Sequence, residues 1–332
     1  MGRVLIIAEA GVNHNGDVRI AKKLIDAAVL SGADIIKFQT FDVDAITSKH
    51  ARMAAYQERN IGHKESQKEM LASLALTNME YIELSEYCKE KGIGFLSTPF
   101  DMPSIAFLEK LDMDVWKVPS GEITNYPYLI ALARTGRDII LSTGMSQMEE
   151  VRAAIALLMQ NGAGNITLLH CTTQYPTPYE DVNLRAMITM RNEFGLEVGY
   201  SDHTRGIEVS IAAAALGAVV IEKHFTLSRD MKGPDHKASL EPDELNAMVE
   251  AIRHIESAMG CSEKRPAESE LENVVVARKS IVAQCPIRAG EMFSEDNLTT
   301  KRPGDGINPM RWPEVLGMRA KRDFEEDELI EL

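Results

Sequence analysis

Residues 197–227, EVGYSDHTRGIEVSIAAAALGAVVIEKHFTL, contain a whole strand–helix–strand unit. EVGYSDHT (197–204) and VVIEKHFTL (219–227) are apolar runs of strand length, and the stretch between them carries a helical pattern. Two strands joined in this way lie parallel, with the helix outside the sheet. Working outward, the same alternation recurs at VLIIAEAG (4–11), IIKFQT (35–40), GFLSTPF (94–100), VWKVPSGE (115–122), DIILSTG (138–144) and ITLLHCTT (166–173). A right-handed series of eight such units has a closed solution, the α/β fold of a (β/α)8 TIM barrel, and residues 1–260 fall in its usual size range. The open alternative is a doubly wound sheet. No GxGxxG follows the first run, because the glycines of GVNHNG (11–16) are too far apart.

Two stretches interrupt the alternation. The second connection, residues 41–78, is long and rich in Met, Gln, Lys and Glu, and reads as an extended loop over the barrel mouth. After the last barrel helix, residues 261–276 are polar and contain helix breakers, as a linker would. From 277 to 332 the pattern changes to short strands and turns, a small β-rich module with few residues for a core of its own, so it is expected to dock on something. A chain of 332 residues with 45% hydrophobic composition suits one large and one small domain.

Composition also excludes functions. A formal net charge of −14 repels phosphodiesters and anionic membranes, so any anionic substrate must be held by local cations. The four cysteines are scattered without CxxC spacing and no apolar run reaches membrane-spanning length, which points to a reduced, cytoplasmic setting. The opening run stops at Glu9, too short for a signal peptide.

Each of the eight runs begins apolar and ends polar, and a barrel keeps its active site at the carboxyl ends of its strands. A single Ser or Thr there is ordinarily a helix cap or a turn residue, but eight such endings together point to a site. Lys37 and Lys117 interrupt buried strands, where an unpaired ammonium is costly. Either they pair with Glu9, Glu122 or Glu222 inside the barrel, or, with Ser97, Thr98, Ser120, Ser142 and Ser201 pointing into the same mouth, they form a cage for phosphate or carboxylate. His203 and His224 end consecutive runs, about 5 Å apart on neighbouring strands. They either pair with Asp202 and Glu222 or share a divalent metal with positions left open, which suits Mn²⁺, Mg²⁺ or Co²⁺ acting as a Lewis acid. His14 and His236, in loops rich in Gly and Pro, are further candidates.

The segments IAEAGVNHNGD, KFQTF, FLSTPFD, WKVPSGE, STGMS, LLHCTTQYPTPYEDVNL, YSDHT and IEKHFTLSRDMKGPDHKASLEPDEL, followed by VARKSIVA and TTKRPGDGINPM, resemble the sialic acid synthase family over nearly the whole chain. The resemblance implies a transferase that condenses phosphoenolpyruvate with N-acetylmannosamine, with C–O cleavage and release of phosphate, to make a sialic acid. The alternative sugar is the 2,4-diacetamido-2,4,6-trideoxy compound leading to legionaminic acid. It implies a metal on His203 and His224, with manganese favoured. Phosphoenolpyruvate would be held by Lys37, Thr98, Lys117, Ser120, Ser142, Thr173 and Ser201. It also implies a sugar site of Gln39, Tyr175 and Asp235, and a tail that is an antifreeze-like SAF domain of the β-clip type. Arg302 of that tail would reach the sugar's acetamido group in the partner subunit of a domain-swapped homodimer. The family often has Asn or Glu where this chain reads Thr172, Thr173 and Gln174, which leaves the contacts from that strand open. Glu9 is the first candidate for general base, with Glu122 and Glu222 as alternates. A metal-dependent aldolase or epimerase on the same barrel is the more remote reading, since neither needs a full anion cage. A non-catalytic carbohydrate- or ice-binding protein would have no use for buried lysines.

Overall fold

The computed structural model describes residues 2–46, 67–111 and 113–332. Contacts divide the chain into two compact units, Met1–Gly260 and Cys261–Leu332. The first holds eight parallel strands: β1 (Leu5–Gly11), β2 (Ile35–Thr40), β3 (Gly94–Pro99), β4 (Val115–Val118), β5 (Asp138–Ser142), β6 (Ile166–His170), β7 (Glu197–Asp202) and β8 (Val220–His224). Their hydrogen-bonded order is β3-β2-β1-β8-β7-β6-β5-β4, and the end strands β3 and β4 pack against each other, so the sheet curls into a TIM barrel.

Strands covered on both faces read as nearly continuous apolar runs, and β8 is buried at all five positions. Outside the barrel, helices such as Val18–Leu30 and Pro242–Ala258 each bury one stripe, Ala21, Leu24, Ile25 and Ala28 in the first. Local chemistry sets their ends. Asp17 accepts from the backbone N–H of Arg19 at the start of the first helix, and Thr77 with Glu80 forms a reciprocal cap on Asn78–Lys91.

The second connection departs from the expected loop. Val43–Ile46 and Gln67–Leu74 are helices, the latter burying Met70 and Leu74, and residues 47–66 of that expectation lie outside the described residues. The stretch expected as a linker is also partly ordered, with a helix at Leu271–Ala277. The second unit pairs β9 (Ser280–Ala283) with β10 (Leu298–Lys301) antiparallel, and has its own core around Ile281, Ile287, Phe293, Leu298 and Phe324. Short bridges between segments far apart in sequence, such as Ile287 with Phe324, bring enough apolar side chains together to make it.

Candidate active site

A cavity of about 420 Å³ opens at the carboxyl ends of the barrel strands. The two-residue period of a strand decides who faces it. Lys37 and Gln39 line it but Phe38 does not; Ser201 and His203 do but Asp202 does not; Glu222 and His224 do but Lys223 does not. Every phosphoenolpyruvate and sugar candidate of the barrel lies on this lining together with His203 and His224: Thr98, Lys117, Ser120, Ser142, Thr173, Tyr175 and Asp235 complete the set. Five expectations do not, His14 and His236 among them. Ser97 points outward and is hydrogen-bonded to Thr40 at 2.7 Å. Glu122 sits half-buried on a short 3-10 turn, accepts from Asn125, and is not among the lining residues. Arg302 belongs to the second unit, where its Nε donates to the carbonyl of Ala277 at 3.1 Å.

The floor is a buried cluster of two lysines and two carboxylates. Lys37 Nζ lies 2.7 Å from Glu9 Oε2 and 3.6 Å from Glu222 Oε2, while Lys117 Nζ lies 3.5 Å from Glu222 Oε1. Both lysines therefore have carboxylate partners, and that pairing leaves both on the lining of the cavity. Lys37 donates to Thr98 Oγ1 at 3.1 Å and Lys117 to Ser142 Oγ at 2.8 Å. These two hydroxyls thus stand beside the ammonium groups on the cavity lining. Thr173 Oγ1 is buried on the cavity lining with no hydrogen-bond partner among the described residues.

Environment separates the two carboxyls. Burial alone would raise Glu222, but Lys117 and Lys37 together outweigh it and hold the group down to about 2. In Glu9 burial prevails over Lys37, and the neighbouring charge of Glu222 adds to it, so its carboxyl is raised. The two environments thus push the carboxyls apart, Glu222 toward the ionised form and Glu9 toward the protonated one. Gln39 Nε2 steadies Glu9 Oε1 at 2.9 Å. Asp235 is pushed up to about 7 by burial, with the charge of Glu9 adding to it.

His203 and His224 stand with ring centroids 5.6 Å apart. The Nδ1–H of His203 donates to the carbonyl of Thr172 at 2.7 Å; a carbonyl can only accept, so Nε2 carries the lone pair, with Ser201 Oγ 3.4 Å from it. Nδ1 of His224 is buried without a hydrogen-bond partner among the described residues. Burial holds His203 down to about 4 and His224 well below its ordinary value, with the charge of Lys37 adding to the second. Both rings are neutral at neutral pH, the state a metal ligand needs. Tyr175 leans over them, its ring centroid 4.2 Å from that of His203. His14 and His236 lie elsewhere: His14 accepts from the Gly16 N–H and His236 bonds Thr226 and Asn15, so neither lines the cavity.

Sequence reasoning missed two parts of the lining. Cys171 faces the cavity, 3.1 Å from Ser120 Oγ, and its place two residues beyond Leu169 on the inward phase was the available signal. The other is an apolar stretch made by Val12, Phe41, Met70, Leu71 and Leu74. It carries no chemical signature that a linear reading could separate from core.

The NeuB family matches residues 24–264, and the SAF domain matches residues 278–331. An N,N'-diacetyllegionaminic acid synthase from Campylobacter jejuni is 53% identical over 332 residues, 99% of this chain and 99% of its own. A second, from Legionella pneumophila, is 46% identical over 323 residues, 96% of this chain and 91% of its own. Among solved structures, an N-acetylneuraminic acid (sialic acid) synthetase from Leptospira borgpetersenii superposes with a TM-score of 0.72 at 33% identity, covering 82% of this chain and 90% of that one. With the family matched over most of the barrel and relatives aligned nearly end to end, this chain is a member of the NeuB family, its barrel followed by a SAF domain.

Proposed function

We propose that the barrel condenses phosphoenolpyruvate with 2,4-diacetamido-2,4,6-trideoxymannose to give N,N'-diacetyllegionaminic acid and inorganic phosphate. The observation that carries the condensation is the floor of the cavity, where Lys37 and Lys117 are buried among Thr98, Ser120, Ser142 and Thr173. A site of this kind binds a small polyanion that the net charge of the chain would otherwise repel. The expectation of N-acetylmannosamine gives way to the trideoxy sugar because the Campylobacter jejuni relative, 53% identical, is a legionaminic acid synthase.

The reaction follows from the parts. C3 of phosphoenolpyruvate attacks the aldehyde carbon of the open-chain sugar, a C–C bond forms, and the aldehyde oxygen takes up a proton. Water adds to the cation left at C2, and Glu9, with its raised carboxyl, accepts the proton from that water. Phosphate then leaves with its bridging oxygen as the C2–O bond breaks, and the C2 hydroxyl gives up its proton, which ends on the phosphate, to become the keto group, so one water is consumed and one phosphate released. Lys37 and Lys117 hold the phosphate and carboxylate in attacking geometry, and Asp235, Gln39 and Tyr175 hold the sugar. His203 and His224 suit a divalent metal, Mn²⁺ or alternatively Mg²⁺ or Co²⁺, which when bound would polarise the aldehyde. Among the described residues no cluster of three His, Cys, Asp or Glu is placed to hold a metal, so water and substrate would complete its shell.

The test is to offer phosphoenolpyruvate with the trideoxy sugar and, separately, with N-acetylmannosamine, then to measure phosphate and weigh the products, with and without chelator. A product mass of the diacetylated nonulosonic acid and phosphate release that stops in chelator are expected. Turnover without phosphate release would hand the site to an aldolase or epimerase.

A further inference from the structure

The lining of the cavity is asymmetric in a way the condensation does not require. Its ionisable groups come from the strand ends and from the loops after β6 and β8 that carry Tyr175 and Asp235, while one side is an apolar wall of Val12, Phe41, Met70, Leu71 and Leu74. These five also form a separate small cluster: Val12, Met70 and Leu74 are 4%, 2% and 6% exposed, with Phe41 and Leu71 half-buried against them. The helix Gln67–Leu74 supplies three of the five, and places Met70, Leu71 and Leu74 on one face by its i, i+1, i+4 spacing. No side chain of the wall has an O–H, N–H or carbonyl to offer.

A hydroxyl pressed against such a surface loses its water and gains no partner, whereas a methyl gains contact. We infer that this wall receives the deoxygenated end of the sugar and selects a C6 methyl over a C6 hydroxymethyl, with Leu71 and Phe41 as its specificity-determining residues. The inference rests on the condensation reading above and deepens it. Reacting atoms face the strand ends; the end remote from the aldehyde faces the helix.

The experiment compares two sugars that differ by one oxygen, 2,4-diacetamido-2,4,6-trideoxymannose and 2,4-diacetamido-2,4-dideoxymannose. The readout is the ratio of their kcat/KM values for phosphate release from phosphoenolpyruvate. In the unmodified enzyme the trideoxy sugar is expected to be favoured roughly tenfold to 100-fold, the range a hydrophobic pocket achieves against an added hydroxyl. Leu71→Gln and Phe41→Ser are each expected to lower that ratio at least about fivefold. A partly misfolded variant slows both sugars by the same factor, so the ratio is insensitive to folding. A ratio near one in the unmodified enzyme, or a ratio that neither variant moves, overturns the wall as a selector. Absence of phosphate release with both sugars overturns the condensation reading itself, and the inference with it.

Discussion

Gly144 shows how tightly the cage is packed. A Cβ there would stand 2.4 Å from Thr173 Oγ1, 2.8 Å from Ser120 Oγ and 3.0 Å from Cys171 Sγ, and its own N–H donates to Ser120 Oγ at 2.9 Å. Gly144→Ala must push these side chains out of the proposed anion site, and displacements of this size cost up to about 100-fold in turnover. A rise in the phosphoenolpyruvate KM of at least about tenfold is expected, and an unchanged value would show that the neighbours yield harmlessly. Asp235 supplies a test by pH. Its carboxyl ordinarily titrates at 3.8 and is raised to about 7 in the folded chain, so between those values the native state binds the extra proton. Stability from this group is complete below about pH 3.8 and is lost as pH rises through about 7. Denaturant titrations should therefore show Asp235→Asn gaining on the unmodified protein from pH 4 to pH 7, by up to about 4 kcal/mol, and levelling above that. A difference that does not change with pH would mean the carboxyl is not perturbed.

At the level of elements, the outward face of the strand ends does the holding. β7 and β8 are paired in register with Asp202 opposite Lys223, and on the far side from the cavity these two make an ion pair at 2.9 Å, both almost fully buried. Asp202 also accepts from the Thr204 N–H and from Ser210 Oγ, and Lys223 donates to the carbonyl of Thr204. Each partner is the neighbour in sequence of a cavity histidine, so the pair ties together the two strand ends that carry His203 and His224. Removing one partner leaves a buried charge. Lys223→Met is expected to cost about 3–5 kcal/mol, and adding Asp202→Asn should recover part of it. A single variant as stable as the parent would show that the hydroxyl and backbone donors suffice for Asp202. The same alternation explains why the strand endings were only half legible: Ser97, Asp202 and Lys223 look as reactive in the sequence as Thr98, His203 and Glu222 but are one residue out of phase.

For the molecule as a whole, the resemblance implies that Arg302 acts in trans, and a mixing experiment decides it. A chain lacking residues 277–332 and a full-length chain carrying Lys117→Ala should each be inactive, and subunits exchanged between them should recover activity. Exchanged dimers that form and stay inactive would end the shared-site proposal. The sequence by itself determined the eight-fold alternation and nearly every ionisable residue that lines the cavity at the strand ends, because each is a local property: apolar runs, a two-residue period, costly charges in buried strands. Tertiary structure decided the rest. Glu122 leaves the set because the turn at Ser120–Glu122 directs it to Asn125. Glu9 and Glu222 separate because their balance of burial against lysine charge differs, which depends on distances between strands far apart in the chain. The apolar wall exists only because the helix Gln67–Leu74 lands against Val12 and Phe41, and a packed contact between distant segments leaves no mark on either segment alone.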